Sequence, residues 1–309
     1  MGILVVAGGT LAISLYFLFA SLFLKQQHSP AGSSLGLMAV TNLAAGLWLL
    51  PVWVGMWMAE QVVVPTSPAF WLNLLLVVGL TAAARHFHFL ALSRRSLGEI
   101  APFAGVTPPA SILVAMLVLG EYPSAAGVGL ILVVALSIYF IHLKETEARL
   151  PTRLLQPVRA LFRDRYIMFG LLSALPPALG IALVKKSVGE SDALTYAVGF
   201  CFLMGVGALL LGATQARAVS ALSWGNPSLS IVLGGGFLMA IASYLNSLAT
   251  QLYLVPNLTA MSRSSIAIQV VLGWLFLKER DGFGRKLMGS LVILVAFVLL
   301  GLEPAQSTP

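Results

Sequence analysis

The chain has 309 residues, of which 59% are hydrophobic and 9% are charged, and its mean hydropathy is +0.94. Soluble domains carry about 25% charged residues, so this composition excludes an ordinary soluble protein and indicates a membrane protein. The net charge of +7 lies mainly in predicted loops, which fits anionic lipid headgroups better than nucleic acid. The single cysteine, Cys201, excludes an intrachain disulfide.

Ten apolar runs, bounded by charges or by clusters of Pro and Gly, predict ten membrane-spanning helices. The predicted spans are 2–24, 34–58, 68–92, 97–120, 123–143, 165–185, 191–213, 228–254, 258–278 and 282–302. The first run is too long for a signal peptide and has no charged segment before it. We therefore expect it to be a retained helix.

A basic connection, 144–164, separates two halves with five predicted helices each. Its apolar residues recur at near-helical spacing, but two prolines interrupt it, so a membrane-surface helix and a solvated linker are both consistent with it. The predicted domains are a first repeat, 1–143, a second repeat, 165–302, and a short tail, 303–309.

The two halves match at a constant offset of 158 residues. The matched pairs are Ala91 with Ala249, Leu119 with Leu277, Glu121 with Glu279, Val134 with Val292 and Leu136 with Leu294. Each half has a short break before its fourth helix and a glutamate after it. Because five is an odd number of crossings, the second copy is inverted in the membrane. Inverted repeats are common in secondary transporters, with the substrate site near the midplane.

The segments around these matches are LALSRRSLGEIAPFAGVTPPASILVAMLVLGE (90–121) and LATQLYLVPNLTAMSRSSIAIQVVLGWLFLKE (248–279). They resemble the two repeats of EamA-type carriers in the drug/metabolite transporter superfamily, and the resemblance extends over essentially the whole chain. It implies an all-α membrane protein with ten transmembrane helices in a 5+5 inverted repeat that works by alternating access. It implies no particular substrate, because the superfamily moves amino acids, sugars, nucleotide sugars, phosphorylated sugars and drugs.

The basic residues of the loops predict an orientation. Odd-numbered connections hold fourteen lysines and arginines, whereas even-numbered connections hold only Lys185 and Lys186. Since cytoplasmic loops carry the positive excess, both termini are expected outside, in a bacterial inner membrane. Many members of the family that the chain resembles are expected to have both termini inside; we follow the loop count.

Arg85 and Arg263 are the two basic residues that fall inside predicted helices. A charge at that depth costs about 3 kcal/mol or more, and it usually faces a polar cavity. On a helical wheel Arg85 shares a polar stripe about 120° wide with Asn73, Thr81 and His88. Arginine binds carboxylate or phosphate through two parallel hydrogen bonds, so the two arginines predict an anionic or zwitterionic substrate.

The eighth and ninth predicted helices carry similar polar faces. The eighth has Ser243, Asn246, Ser247 and Thr250, and the ninth has Thr259, Ser262, Arg263 and Gln269. Such groups also link helices through hydrogen bonds, which is the favoured interpretation for Ser243 and Thr250 individually. The predicted substrate-binding residues are Asn73, Thr81, Arg85, His88, Asn246, Ser262, Arg263 and Gln269.

Glu99, two residues into the fourth predicted helix, and His88 are candidates for proton coupling. A surface pair with Arg95 is the simpler interpretation of Glu99, and a buried neutral histidine that of His88. His86 and His88 face different sides of a helix and predict no metal site. Prolines in the fourth and sixth helices predict breaks, and Glu121 and Glu279 are expected to cap or pair.

These features predict a secondary active transporter for a small anionic or zwitterionic metabolite. The alternatives are a multidrug or cation exporter of the same superfamily, which would need a carboxylate within the membrane, and a lipid-phosphate translocator. Hydrolase, metalloprotease and Walker motifs are missing from the sequence, so we expect neither an enzyme nor a cofactor. The expected partners are the substrate, the lipid bilayer and a coupled proton or counter-substrate, and no nucleic acid.

Overall fold

The computed structural model describes residues 1–26, 30–92, 101–142, 164–213, 227–277 and 282–303. Within these ranges all regular structure is helical. The α-helices are α1 Gly2–Gln26, α2 Pro30–Met58, α3 Pro68–Leu92, α4 Thr107–Leu119, α5 Ala125–Ile141, α6 Arg165–Ala174, α7 Pro176–Glu190, α8 Ala193–Ala213, α9 Pro227–Leu252, α10 Val255–Met261, α11 Ser264–Leu277 and α12 Phe283–Leu302, and a 3-10 helix, Ala101–Val106, precedes α4.

Eight segments of the described residues are long and apolar enough to cross a membrane. They are Gly2–Ala20, Gly36–Met58, Pro68–His88, Arg165–Glu190, Ala193–Leu210, Val232–Leu252, Val255–Phe276 and Phe283–Leu302. The apolar segments Phe103–Leu119 and Ala125–Ile141 are shorter. Large apolar side chains remain exposed, such as Leu117 at 86% and Leu136 at 68%, as expected for helices that face lipid. The chain is an all-α protein with the helices of a multi-pass membrane protein.

Proline breaks the helices of the fourth and sixth predicted spans, as the sequence indicates. The fourth changes from the 3-10 helix to α4 at Thr107, and Pro108 lies in the first turn of α4. The sixth is interrupted at Leu175, directly before Pro176. Proline lacks an N–H donor and is tolerated where a helix begins. Both breaks are confirmed.

The ninth predicted span, 258–278, is wrong as one continuous helix. The chain leaves helical geometry at Tyr253 and Leu254, and α10 begins at Val255 because Pro256 fits the start of a helix. A second break, at Ser262 and Arg263, separates α10 from α11. Arg263 therefore lies between two helices instead of inside one.

The contacts divide the chain into two compact units: unit 1 contains residues 1–78 and 184–252, and unit 2 contains residues 79–183 and 253–309. Each unit takes segments from both predicted repeats. In unit 1, α1 packs mainly on α9, and α2 packs on α8 and α9. A Cβ placed on Gly205 of α8 would lie 2.7 Å from Leu43 Cγ of α2, so glycine permits this close helix crossing.

In unit 2 the main helix pair is α5 with α12, and α10 packs on α4. The α5–α12 crossing requires glycine, because a Cβ on Gly289 would overlap the side chain of Ile141 and lie 3.4 Å from the carbonyl oxygen of Ser137. The start of α5 meets the end of α12, where Ser124 bonds Glu303. The two helices are therefore antiparallel.

Candidate functional site

Most of the predicted substrate-binding residues belong to unit 2. Those in unit 2 are Thr81, Arg85 and His88 on α3, Ser262 and Arg263 in the α10–α11 break, and Gln269 on α11, whereas Asn73 and Asn246 belong to unit 1. Glu99 and the basic connection up to residue 163 lie outside the described residues. Both arginines that could bind an anion therefore lie in unit 2.

The α3 residues keep their predicted helical arrangement. Thr81, Arg85 and His88 are partly buried, whereas His86 is exposed. His88 lies three residues after Arg85, so the helix places the two side chains on the same face. Phe87 packs on Phe169 of α6, with ring centroids 6.1 Å apart, which attaches this part of α3 to its own unit.

The polar face of α9 links helices within unit 1. Asn246 contacts α1 at Gly9, where an added Cβ would lie only 3.1 Å from the Asn246 Oδ1. Ser247 donates to the carbonyl oxygen of Ser243 at 2.8 Å, and Thr250 donates to that of Ser247 at 2.6 Å. These two hydroxyls are thus satisfied by their own helix, whereas Ser243 links α9 to α8, because its hydroxyl accepts from the Cys201 thiol at 3.6 Å.

The α10–α11 break has a local cause. The Ser262 hydroxyl donates to the carbonyl oxygen of Leu258 at 2.8 Å, and hydroxyls bonded in this way bend helices. The backbone then tightens: the Arg263 N–H bonds the carbonyl of Ala260, and the N–H of Ile266 bonds that of Arg263. Bonds between residues three apart are those of a 3-10 turn, which in mid-helix often marks a hinge or a functional position.

Arg263 carries a polar atom that is not satisfied within the described residues. Its Nε is enclosed by the protein and has no hydrogen-bond partner there. All seven residues of the preceding helix, α10, are buried, whereas the Arg263 residue is partly exposed. The described carboxylates of unit 2 are Glu121, Asp164 and Glu303, and each lies at a helix end.

This arrangement can bind an anion. Burying the charge of an arginine is costly, and a carboxylate or phosphate at the partly exposed Arg263 side chain would reduce that cost. Helix α11 begins at the next residue, Ser264, and the partial positive charge at the start of a helix also favours an anion. Both contributions come from the same break.

A second polar cluster, at one end of unit 2, is absent from the sites that the sequence predicts. The Glu121 Oε2 accepts a 2.7 Å hydrogen bond from the Val255 N–H at the start of α10, which confirms the predicted capping role of Glu121. Asn257 donates through Nδ2 to the Glu303 Oε2 at 2.9 Å, and the Ser124 hydroxyl donates to the Glu303 Oε1 at 2.5 Å. The sequence places Glu303 in the tail, since a charge after the last apolar run usually marks a solvated end.

The described fold is also found in a solved protein. The crystal structure of another protein aligns with a TM-score of 0.72 over 97% of this chain and 96% of the other, at 15% sequence identity. At that identity the alignment shows a shared fold alone. No protein-family model and no curated protein matches the chain.

Proposed function

We propose that this protein is a secondary active transporter that moves a small anionic or zwitterionic metabolite by alternating access. The metabolite would be an amino acid, an organic acid or a phosphorylated compound. The observation that supports the proposal best is Arg263, a cation at a helix break with an enclosed Nε that has no partner in the described residues. Broken helices commonly supply the substrate sites of secondary transporters, and arginine is suited to carboxylate and phosphate.

We also propose the 5+5 inverted repeat that the resemblance to EamA-type carriers implies. Eight described segments are long and apolar enough to cross a membrane, and the two shorter apolar segments would bring the number of crossings to ten. The offset of 158 residues makes α2 equivalent to α8 and α5 equivalent to α12. Each helix packs against its own counterpart, the first pair in unit 1 and the second in unit 2. Two-fold related repeats would produce this pairing.

The experiment begins with a search for the ligand. Purified protein is heated in the presence of amino acids, sugar phosphates, nucleotides or organic cations, because a compound that binds the folded state raises its apparent melting temperature. We expect a carboxylate or phosphate compound to give the shift. In the Arg263→Ala variant the shift should disappear, and uptake of that compound into proteoliposomes should fall to background.

A matched variant controls for the general loss of a positive charge. Arg165 is exposed at the start of α6, so Arg165→Ala should keep both the shift and the transport. Arg263→Ala should still fold, because it removes a buried N–H and leaves no described partner unpaired. Normal transport by Arg263→Ala would eliminate the proposed site.

The same screen separates the proposal from a cation exporter. A cation exporter needs a carboxylate within the membrane to exchange its substrate for a proton, and the described carboxylates of unit 2 lie at helix ends. A shift with organic cations that survives Arg263→Ala and is lost in Glu99→Gln would replace our proposal with that function. His88 and Glu99 are our candidates for proton coupling in either case.

We place the protein in a bacterial inner membrane with the odd-numbered loops in the cytoplasm, on the basis of the loop charges. The single cysteine, Cys201, is buried, so a cysteine added at exposed Gln61, between α2 and α3, can be labelled selectively. We expect a membrane-impermeant maleimide to label Gln61→Cys in intact cells. Labelling only after permeabilisation would reverse the orientation.

A further inference from the structure

A basic cluster lies at the end of unit 2 where α5 finishes and α12 begins. His142 directly follows α5, and Arg285 and Lys286 lie in the first turn of α12. The close contact between Ile141 and Gly289 brings these two helix ends together. All three side chains are partly buried.

The charges of this cluster act on one another. Burial lowers the pKa of the His142 imidazole, and the nearby positive charges of Lys286 and Arg285 lower it further, while its hydrogen bond to the Ile138 carbonyl has the opposite effect. The His142 Nδ1 lies 2.8 Å from that carbonyl oxygen. Together with the contact between Ile141 and Gly289, this places the positive charges of Arg285 and Lys286 near His142 at one end of unit 2.

An exposed apolar surface adjoins this basic cluster. Trp274 of α11 stacks on Phe283, the first residue of α12, with ring centroids 5.2 Å apart. Trp274 is 43% exposed, and Phe276 and Met288 are 62% and 64% exposed. Tryptophan is typical of the membrane–water interface, so these residues have the chemistry that an acyl chain and its glycerol region would contact.

We propose that this end of unit 2 binds an anionic phospholipid, with Arg285 and Lys286 on the headgroup phosphate and the Trp274–Phe283 pair against the upper acyl chain. Clusters of lysine and arginine at the edge of a membrane attract anionic lipids. A soluble phosphate would use the two cations but not the apolar surface beside them. The combination of the two surfaces is the reason for assigning a lipid, and it does not depend on the transported substrate.

The test compares lipids on the purified protein in a neutral detergent. Phosphatidylglycerol should raise the apparent melting temperature of the wild-type protein, whereas phosphatidylcholine and inorganic phosphate should not. The shift should shrink as sodium chloride is added, because salt screens exposed charges. An equal shift with inorganic phosphate would overturn the lipid assignment, and so would an equal shift with phosphatidylcholine.

The decisive variant is Arg285→Gln with Lys286→Gln, in which the phosphatidylglycerol shift should be lost. This variant should fold, because positive charges in the first turn of a helix oppose its dipole, and its melting temperature without lipid checks this. The control is Lys185→Gln with Lys186→Gln in α7, which removes the same charge elsewhere and should keep the shift. If the two double variants respond to phosphatidylglycerol alike, the site is refuted.

Discussion

The antiparallel pair α5 and α12 gives unit 2 two ends of opposite character. At one end the carboxylates of Glu121 and Glu303 accept hydrogen bonds from residues that begin α10 and from Ser124, which caps α5. At the other end the positive charges of Arg285 and Lys286 lie near His142, which directly follows α5. The acidic end is tied to the protein's own backbone and side chains, whereas the basic end adjoins exposed apolar surface.

This difference indicates that some charges near a membrane boundary stabilise the fold and that others do not. Anionic groups beside helix starts receive backbone N–H donors and favourable dipoles, so they stabilise the fold. Cations in the first turn of α12 oppose the dipole, so their benefit must come from something other than helix stability. We therefore expect variants of the acidic end to lower stability most, and variants of the basic end to change binding or pH response.

The largest effect is expected for Glu121→Ala. Glu121 is 4% exposed, and its loss leaves the Val255 N–H buried without an acceptor. Hydrogen bonds to charged groups contribute about 1.5–3 kcal/mol, and an unsatisfied buried donor adds to the loss, so we expect a destabilisation of about 3 kcal/mol. The free energy of unfolding, or the apparent melting temperature in detergent, measures it.

Glu121→Gln is the matched control for this prediction. The amide oxygen of glutamine can still accept from Val255, so the loss should be less than half of that in Glu121→Ala. Equal losses in the two variants would show that the charge itself is required. If Glu121→Ala had the stability of the wild type, the acidic end would not stabilise the fold as proposed.

A smaller effect is expected at the contact that joins α5 and α12 near the basic end. In Gly289→Ala the new methyl group would overlap the Ile141 side chain and touch the carbonyl oxygen of Ser137. Overpacking of this kind costs typically about 1–3 kcal/mol. We expect the apparent melting temperature to fall, but by less than in Glu121→Ala, because the Ile141 side chain can move in part.

Gly129→Ala separates overpacking from helix propensity. Gly129 lies in α5, and an added Cβ there has no neighbour within 4 Å. Alanine is favoured over glycine inside a helix by roughly 0.5–1 kcal/mol, so this variant should be equal to or more stable than the wild type. If Gly289→Ala and Gly129→Ala were both more stable than the wild type, α5 and α12 would not pack as closely as they do in the structure.

Local chemistry explains which features of unit 2 are predictable from sequence. The break before Pro176 follows from a missing N–H. The place of Glu121 after an apolar helix predicts that it caps or pairs, but its partner, the Val255 N–H 134 residues away, is known only from the structure. The break at Ser262 accompanies a hydrogen bond from its hydroxyl to the Leu258 carbonyl oxygen. Composition alone does not predict that bond. Glu303 pairs with Ser124 across 179 residues of sequence, and a single sequence holds no signal for such a pair.

Some features of the candidate site residues are likewise predictable from the sequence, and others are not. The cost of burying a charge identifies Arg85 and Arg263 as exceptional residues from the amino-acid sequence alone. Helical spacing places Arg85 and His88 on one face of α3, and the structure keeps them there. Asn246 has the same polar character as the others, and its position beside Gly9 of α1 is visible only in the structure.

The smallest effect is a pH dependence that His142 adds at the basic end. Because burial and the charges of Lys286 and Arg285 lower its pKa below the ordinary value of 6.5, the unfolded chain binds a proton more readily than the folded protein as the pH falls below 6.5. The His142 contribution to stability is therefore complete above pH 6.5 and is lost as the pH falls below that value and through the lowered pKa of the folded protein. Glutamine can still donate to the Ile138 carbonyl but does not titrate. Between pH 7.5 and pH 5 the melting temperature of His142→Gln should therefore fall by less than that of the wild type. Identical pH profiles would show that a charge on His142 costs the folded protein nothing, and that the basic end does not act as one patch.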